Sequence, residues 1–170
     1  MKEFIFLILL LNYTVKKLYS KDQASQIRQA FWTAFGQYIA PQLSADGLKT
    51  NWINYKTGIK HLNFKMQADN RSAYIAIEIS HHDTGMQELI FEQFRELKTL
   101  LFTYLNEEWE WQLHVTDENH KTVSRIIKVL PATSIFNRDD WPALISFFKP
   151  RIIALDAFWS VAQYSFELFK

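Results

Sequence analysis

The chain has 170 residues, 48% of them hydrophobic, 16% aromatic and 22% charged, which excludes a disordered, collagen-like or low-complexity protein and suits one domain. Lys and Arg number 19 against 18 Asp and Glu, a formal charge of +1, so no bulk field draws the chain to nucleic acid or anionic lipid. Cysteine is absent, which removes disulfides, thiolate metal sites and a cysteine nucleophile and fits a cytoplasmic setting.

Residues 4–11 form an unbroken run of eight apolar residues. A membrane span needs about 20, and Asn12, Lys16 and Lys17 close the run early, so no membrane span is expected. Glu3 and the lack of a small-x-small cleavage site argue against a signal peptide. Residues 1–17 therefore read as an apolar N-terminal extension arising from a start assigned too far upstream, and residues 18–170 as a single α+β domain.

Ser20-Lys21-Asp22-Gln23 matches a capping box. Ile27, Ala30, Phe31, Ala34, Phe35, Tyr38 and Ile39 then recur at helical spacing, and Pro41 ends the helix. Three strands are predicted next, over residues 51–56, 60–67 and 73–80. The second alternates Leu62, Phe64 and Met66 with His61, Asn63 and Lys65. Thr84-Gly85-Met86-Gln87 reads as another capping box, opening a helix that runs to about residue 105. Two more strands follow over 108–116 and 121–130, the first placing Trp109, Trp111, Leu113 and Val115 on one face. Asn137 is expected to cap the last helical region, Pro142 to sit in its first turn and Pro150 to kink or split it. The order α-β-β-β-α-β-β-α describes an α+β fold, one mixed sheet with helices packed on it. Its first six elements follow a restriction-endonuclease-like core order.

Several segments carry a family likeness. They are Phe31-Trp32-Thr33-Ala34-Phe35-Gly36, residues 51–58 (Asn-Trp-Ile-Asn-Tyr-Lys-Thr-Gly), residues 92–98, Trp109-Glu110-Trp111, Phe136 through Pro142, and Phe147-Phe148-Lys149-Pro150-Arg151. Over about residues 18–168 the chain resembles the bacterial family catalogued as domain of unknown function 4268. That resemblance implies no activity. Longer relatives that carry a similar domain behind a nuclease-like one imply at most a link to nucleic-acid metabolism or defence.

A metal-dependent nuclease of this core order needs an acid on the second strand and an acid-x-Lys triplet on the third. The second strand offers His61, Asn63 and Lys65, and the third offers Glu78-Ile79-Ser80, so half the machinery is missing. His81 and His82, adjacent on an extended segment, are expected to point opposite ways. No catalytic residue, metal site or cofactor is assigned. The polar sheet face is expected to gather Asn54, Lys56, His61, Asn63, Lys65, Glu78, Glu110, Gln112 and His114. With Trp52, Tyr55 and Tyr74 as stacking groups and Lys60 beside them, Trp52, Lys56, Lys60, His61, Asn63, Lys65 and Glu78 form the candidate binding set. The leading expectation is a non-catalytic recognition module for nucleic acid or a protein partner. The alternatives are a metal-dependent phosphodiesterase or nuclease using Glu78 and Glu110, and a homodimeric interaction protein; the sequence leaves the oligomeric state open.

Overall fold

A computed structural model describes residues 19–170; the expectations for residues 1–17 lie outside the described residues. The first helix, α1 (Lys21–Ile39), opens with the capping box. Ser20 Oγ accepts from the Gln23 N–H at 3.2 Å, and Gln23 Oε1 accepts from the Ser20 N–H at 3.1 Å. Its Phe31, Phe35 and Ile39, one turn apart, are buried, as a 3.6-residue period requires.

Strands β1 (Leu62–Ala68) and β2 (Ser72–Ile79) form a hairpin. The Asp69 carboxylate closes it by accepting from the Arg71 and Ser72 N–H groups. Helices α2 (Thr84–Glu96) and α3 (Lys98–Leu105) follow, then β3 (Glu110–Thr116) and β4 (Thr122–Pro131). Directly after the Asn137 cap, a short 3-10 turn (Arg138–Asp140) leads into α4 (Trp141–Ala162), with Pro142 in its first turn. All neighbours in the sheet, ordered β1-β2-β4-β3, are antiparallel.

The α+β class stands, but several details differ from the sequence reading. Residues 51–56 are turns and irregular chain, and the only bridge nearby joins Leu43 to Lys49. The sheet therefore has four strands, is antiparallel throughout, and lacks the three-strand start on which the restriction-endonuclease-like order rested. Trp52, expected on a strand face, is instead buried under this loop, its indole N–H donating to Gln42 O at 3.1 Å. The helix predicted through residue 105 breaks at Leu97, whose φ of −95° and ψ of 11° leave the helical region. Pro150 does not split α4. It is exposed on the helix surface, and Arg151 Nη1 donates to Phe147 O at 2.9 Å, supplying a donor in the turn that the ring disturbs.

The inner sheet face carries Phe64, Ile75, Ile77, Ile79 and Ile126, all buried. Helix α4 lies against β1 and β2, α2 against β4 and β3, and α1 against α4. Phe31, Phe35 and Phe148 meet between α1 and α4, with ring centroids 6.0–6.4 Å apart. A β-bulge between Gln112 and Val115 breaks the parity of β3. Trp111 opposes Ile126 on the inner face as expected, while Val115 opposes Val123 on the outer one. Because a bulge inserts an extra residue, side chains beyond it change faces. His114, at φ 50°, leaves the polar face and approaches Thr84 O with Nε2 at 3.0 Å.

Candidate functional site

The outer face of the sheet is centred on one cation shared by two carboxylates. Lys65 Nζ on β1 lies 3.3 Å from Glu78 on β2 and 2.8 Å from Glu118 in the β3–β4 turn. That turn is held by Asp117, whose carboxylate accepts from the Asn119 and Lys121 N–H groups at 2.8 Å. Tyr74 completes the cluster, donating its hydroxyl to Glu118 at 3.1 Å. Arg125, opposite Glu78 in register, lies over the Tyr74 ring at 5.6 Å and donates to Gln112 Oε1 at 2.6 Å.

Glu78 is buried, and loss of water raises its carboxyl pKa above the usual range. Lys65 opposes that rise but stands closer to Glu118, and Glu118 and Asp117 add negative charge. Burial works against the Lys65 ammonium, yet the bond to Glu118 and the charge of Glu78 keep its pKa above the ordinary lysine value. Tyr74 is pushed up to about 12, chiefly by burial. Both carboxylates engage the one Lys65 ammonium, an arrangement that neither gathers phosphate nor leaves two oxygens free for a second cation.

Beside this cluster, a shallow hollow of about 240 Å³ runs along the free edge of β1. Its walls are Ile53, Asn54, Tyr55 and Lys56 from the loop, Asn63 through Met66 from β1, and Glu78. The loop is clasped to the core. Tyr55 stacks on Phe64 at 5.1 Å, and its hydroxyl donates to Asp156 of α4 at 2.7 Å. Asp156 also accepts from the Ala45 N–H at 2.7 Å.

The hairpin pattern fixes which backbone groups face the hollow. The Ser80 N–H donates to His61 O and the Asp69 N–H to Ser72 O. In an antiparallel pair such bonded pairs alternate, so the odd residues of β1 bond to β2. Leu62, Phe64 and Met66 then turn their N–H and C=O groups outward. Leu62 is satisfied locally, its N–H donating to Ile59 O and its carbonyl accepting from the Thr57 hydroxyl. Among the described residues, the outward backbone groups of Phe64 and Met66 have no hydrogen-bond partner.

Of the candidate binding set, the hollow brings together Lys56, Asn63, Lys65 and Glu78. Lys60 is exposed in the turn before β1, outside the hollow. Trp52 is 2% exposed and offers no stacking surface. The Tyr55 ring lies on Phe64, and Tyr74 is flanked by Arg125 and Lys65. The expected stacking platform is therefore not formed by these three residues. Glu110 opposes Ile127 of β4, and Glu78 opposes Arg125 from the other side of that strand. Two inter-strand spacings, about 10 Å, and a two-residue offset in register thus separate the backbone positions of the two acids that the phosphodiesterase reading paired.

Sequence reasoning missed one grouping. His81 and His82 were expected to diverge, but their chain bends and their rings stack at 4.5 Å. His61, at φ 64°, brings a third ring to 5.0 Å from His81. A histidine spacing that straddles a hairpin of unknown register carries no such signal; a correct pairing of residues 62 and 79 would have supplied it.

The segments expected to carry the family likeness lie in α1, the loop that clasps β1, α2, β3 and α4. A family model described as Domain of unknown function (DUF4268) matches residues 27–163. The chain belongs to that family. No curated protein and no solved structure matches it. Among the described residues, no helix is long and apolar enough to cross a membrane.

Proposed function

We propose that this domain is a non-catalytic recognition module, and that it takes an extended segment of a protein partner along the free edge of β1. The observation that carries the reading is the pair of unbonded outward backbone groups at Phe64 and Met66, facing a hollow bounded by Tyr55 and Lys56. An open strand edge is a template for one more strand; main-chain bonds supply affinity and adjoining pockets supply selectivity. Asn54, Asn63 and the exposed Lys56 would meet side chains on one face of the added segment. The internally paired charges around Lys65 favour this reading over nucleic acid.

The test selects peptides from a random displayed library and maps the bound peptide by amide chemical shifts. Shifts centred on residues 63–66 and 54–56 are expected. Binding should be lost in Met66→Pro, which removes an outward N–H without breaking the bond pattern to β2; proline is tolerated at such edge positions. Shifts centred elsewhere would refute the reading. So would self-association abolished by the same variant, or salt-sensitive binding of single-stranded oligonucleotides through Lys56 and Lys65. No cleavage of DNA or RNA is expected with magnesium or manganese.

A further inference from the structure

We propose that His61, His81 and His82 form a zinc-type site with three imidazole donors and one coordination position open to solvent or a ligand. The candidate ring nitrogens all lie within 4.8 Å of one another. Tetrahedral zinc with bonds of about 2.0–2.1 Å sets its nitrogen donors about 3.4 Å apart, so the rings need to close by little more than 1 Å. His82 is exposed and His61 and His81 are half-buried, which leaves room for that rotation. Imidazoles without thiolates suit zinc, copper and nickel, and three protein ligands leave a position free, as in catalytic rather than purely structural zinc sites.

The backbone supports the convergence. His61 sits in the left-handed region, which non-glycine residues occupy only when their surroundings hold them there. Its carbonyl accepts from the Ser80 N–H at 2.8 Å, tying the start of β1 to the chain that enters the His81–His82 bend. Gln87, buried in α2, donates to His81 O at 2.7 Å and fixes the other side of the bend. Lys60 opposes a cation, and the Asp83 carboxylate next to His82 offsets it. One bond must yield. His81 Nδ1 accepts from the Asp83 N–H at 3.0 Å, so the ring turns and releases that group when it joins the metal.

The experiment uses the tag-free full chain and zinc chloride alone, titrated by calorimetry, with cobalt as a spectroscopic substitute. Saturation at one metal per chain is expected, with a Kd tighter than about 100 μM, and with the visible absorption of low-coordinate cobalt. His61→Asn, which tolerates the left-handed backbone but has no imidazole, and His82→Ala should each weaken binding about tenfold or more. His120→Ala, outside the three-histidine group, should leave it unchanged. A Kd weaker than about 100 μM would overturn the proposal, and so would undiminished binding in His61→Asn. Melting curves without metal show whether each variant is folded, so loss of binding in a folded variant reports on the site.

Discussion

The clasp between Tyr55 and Asp156 is the interaction whose removal tests most of this reasoning, because it holds the loop that walls the hollow to the longest helix. Asp156 is 5% exposed and accepts two hydrogen bonds at 2.7 Å, from Tyr55 and Ala45. A hydrogen bond to a charged group contributes about 1.5–3 kcal/mol. Tyr55→Phe removes one such bond and keeps the ring stacked on Phe64, so a loss of about 2 kcal/mol is expected. Asp156→Ala removes both, but the freed Tyr55 hydroxyl lines a second open hollow where water can replace the carboxylate; about 3 kcal/mol is expected. At about 2–4 °C per kcal/mol for a domain of this size, the midpoints fall by about 4–8 °C and about 6–12 °C. The double variant should be less destabilised than the sum by about 1.5–2 kcal/mol. Alkali supplies a second readout. Burial first, then the bond and charge of Asp156, raises the Tyr55 pKa far above that of a free phenol. A group whose folded pKa is raised stabilises fully below the unfolded value and loses that contribution as pH rises beyond it, so the wild type should lose stability faster than Tyr55→Phe above about pH 10. Urea unfolding of the four proteins measures the cycle. Additivity within about 0.5 kcal/mol, or parallel alkaline profiles, would refute the clasp.

Glu107→Gln should destabilise at neutral pH by about 1–2 kcal/mol, a figure reduced for its partial exposure. Its carboxylate accepts from Arg151 Nε and Nη2 and from the Trp109 indole, all at 2.8 Å. Although burial pushes the other way, these bonds hold the Glu107 pKa below the usual range. The wild-type advantage should therefore be full above about pH 4.3 and vanish as pH falls through the depressed value, as acid denaturation will show. Gln87→Ala should cost about 2–4 kcal/mol in urea, because the buried amide bonds His81 O, Thr122 O and the Ser124 hydroxyl together. Trp111→Ala should cost about 2 kcal/mol, below the 3–5 kcal/mol of a fully buried aromatic: it faces Phe91 at 5.5 Å but stays half-buried on an edge strand. A loss above about 4 kcal/mol in thermal unfolding would place it in the core proper.

Local chemistry made the elements legible. The Ser20 capping box, the Leu62-Phe64-Met66 alternation and the Asn137 cap each act within a few residues, and each formed as read. The class followed because helical and strand periods differ, and each hides its apolar face in its own way. The candidate set was half legible for the same reason. Lys56, Asn63, Lys65 and Glu78 share a side by strand parity and loop proximity, and parity is a sequence property.

Where two distant segments compete for the same place, the sequence was silent. Residues 51–56 read as a strand, since Trp52 and Tyr55 are good strand formers. Tertiary packing instead sinks Trp52 beneath the loop and hooks Tyr55 to Asp156, over 100 residues away in sequence. That choice leaves β1 at the edge and opens the hollow. The bulge after Gln112 turned His114 off the face on which strict alternation had set it, because one inserted residue inverts every side chain beyond it. The strand order put β4 between Glu78 and Glu110, and the hairpin register carried His61 to His81 and His82. The sequence by itself determined the helix starts at Ser20 and Asn137, the strand periods of the β1–β2 hairpin and the apolar faces of both, since these depend on neighbours along the chain. The tertiary structure alone decided the open edge, the paired charges and the histidine cluster, because each depends on which distant segments the burial of the core forces together.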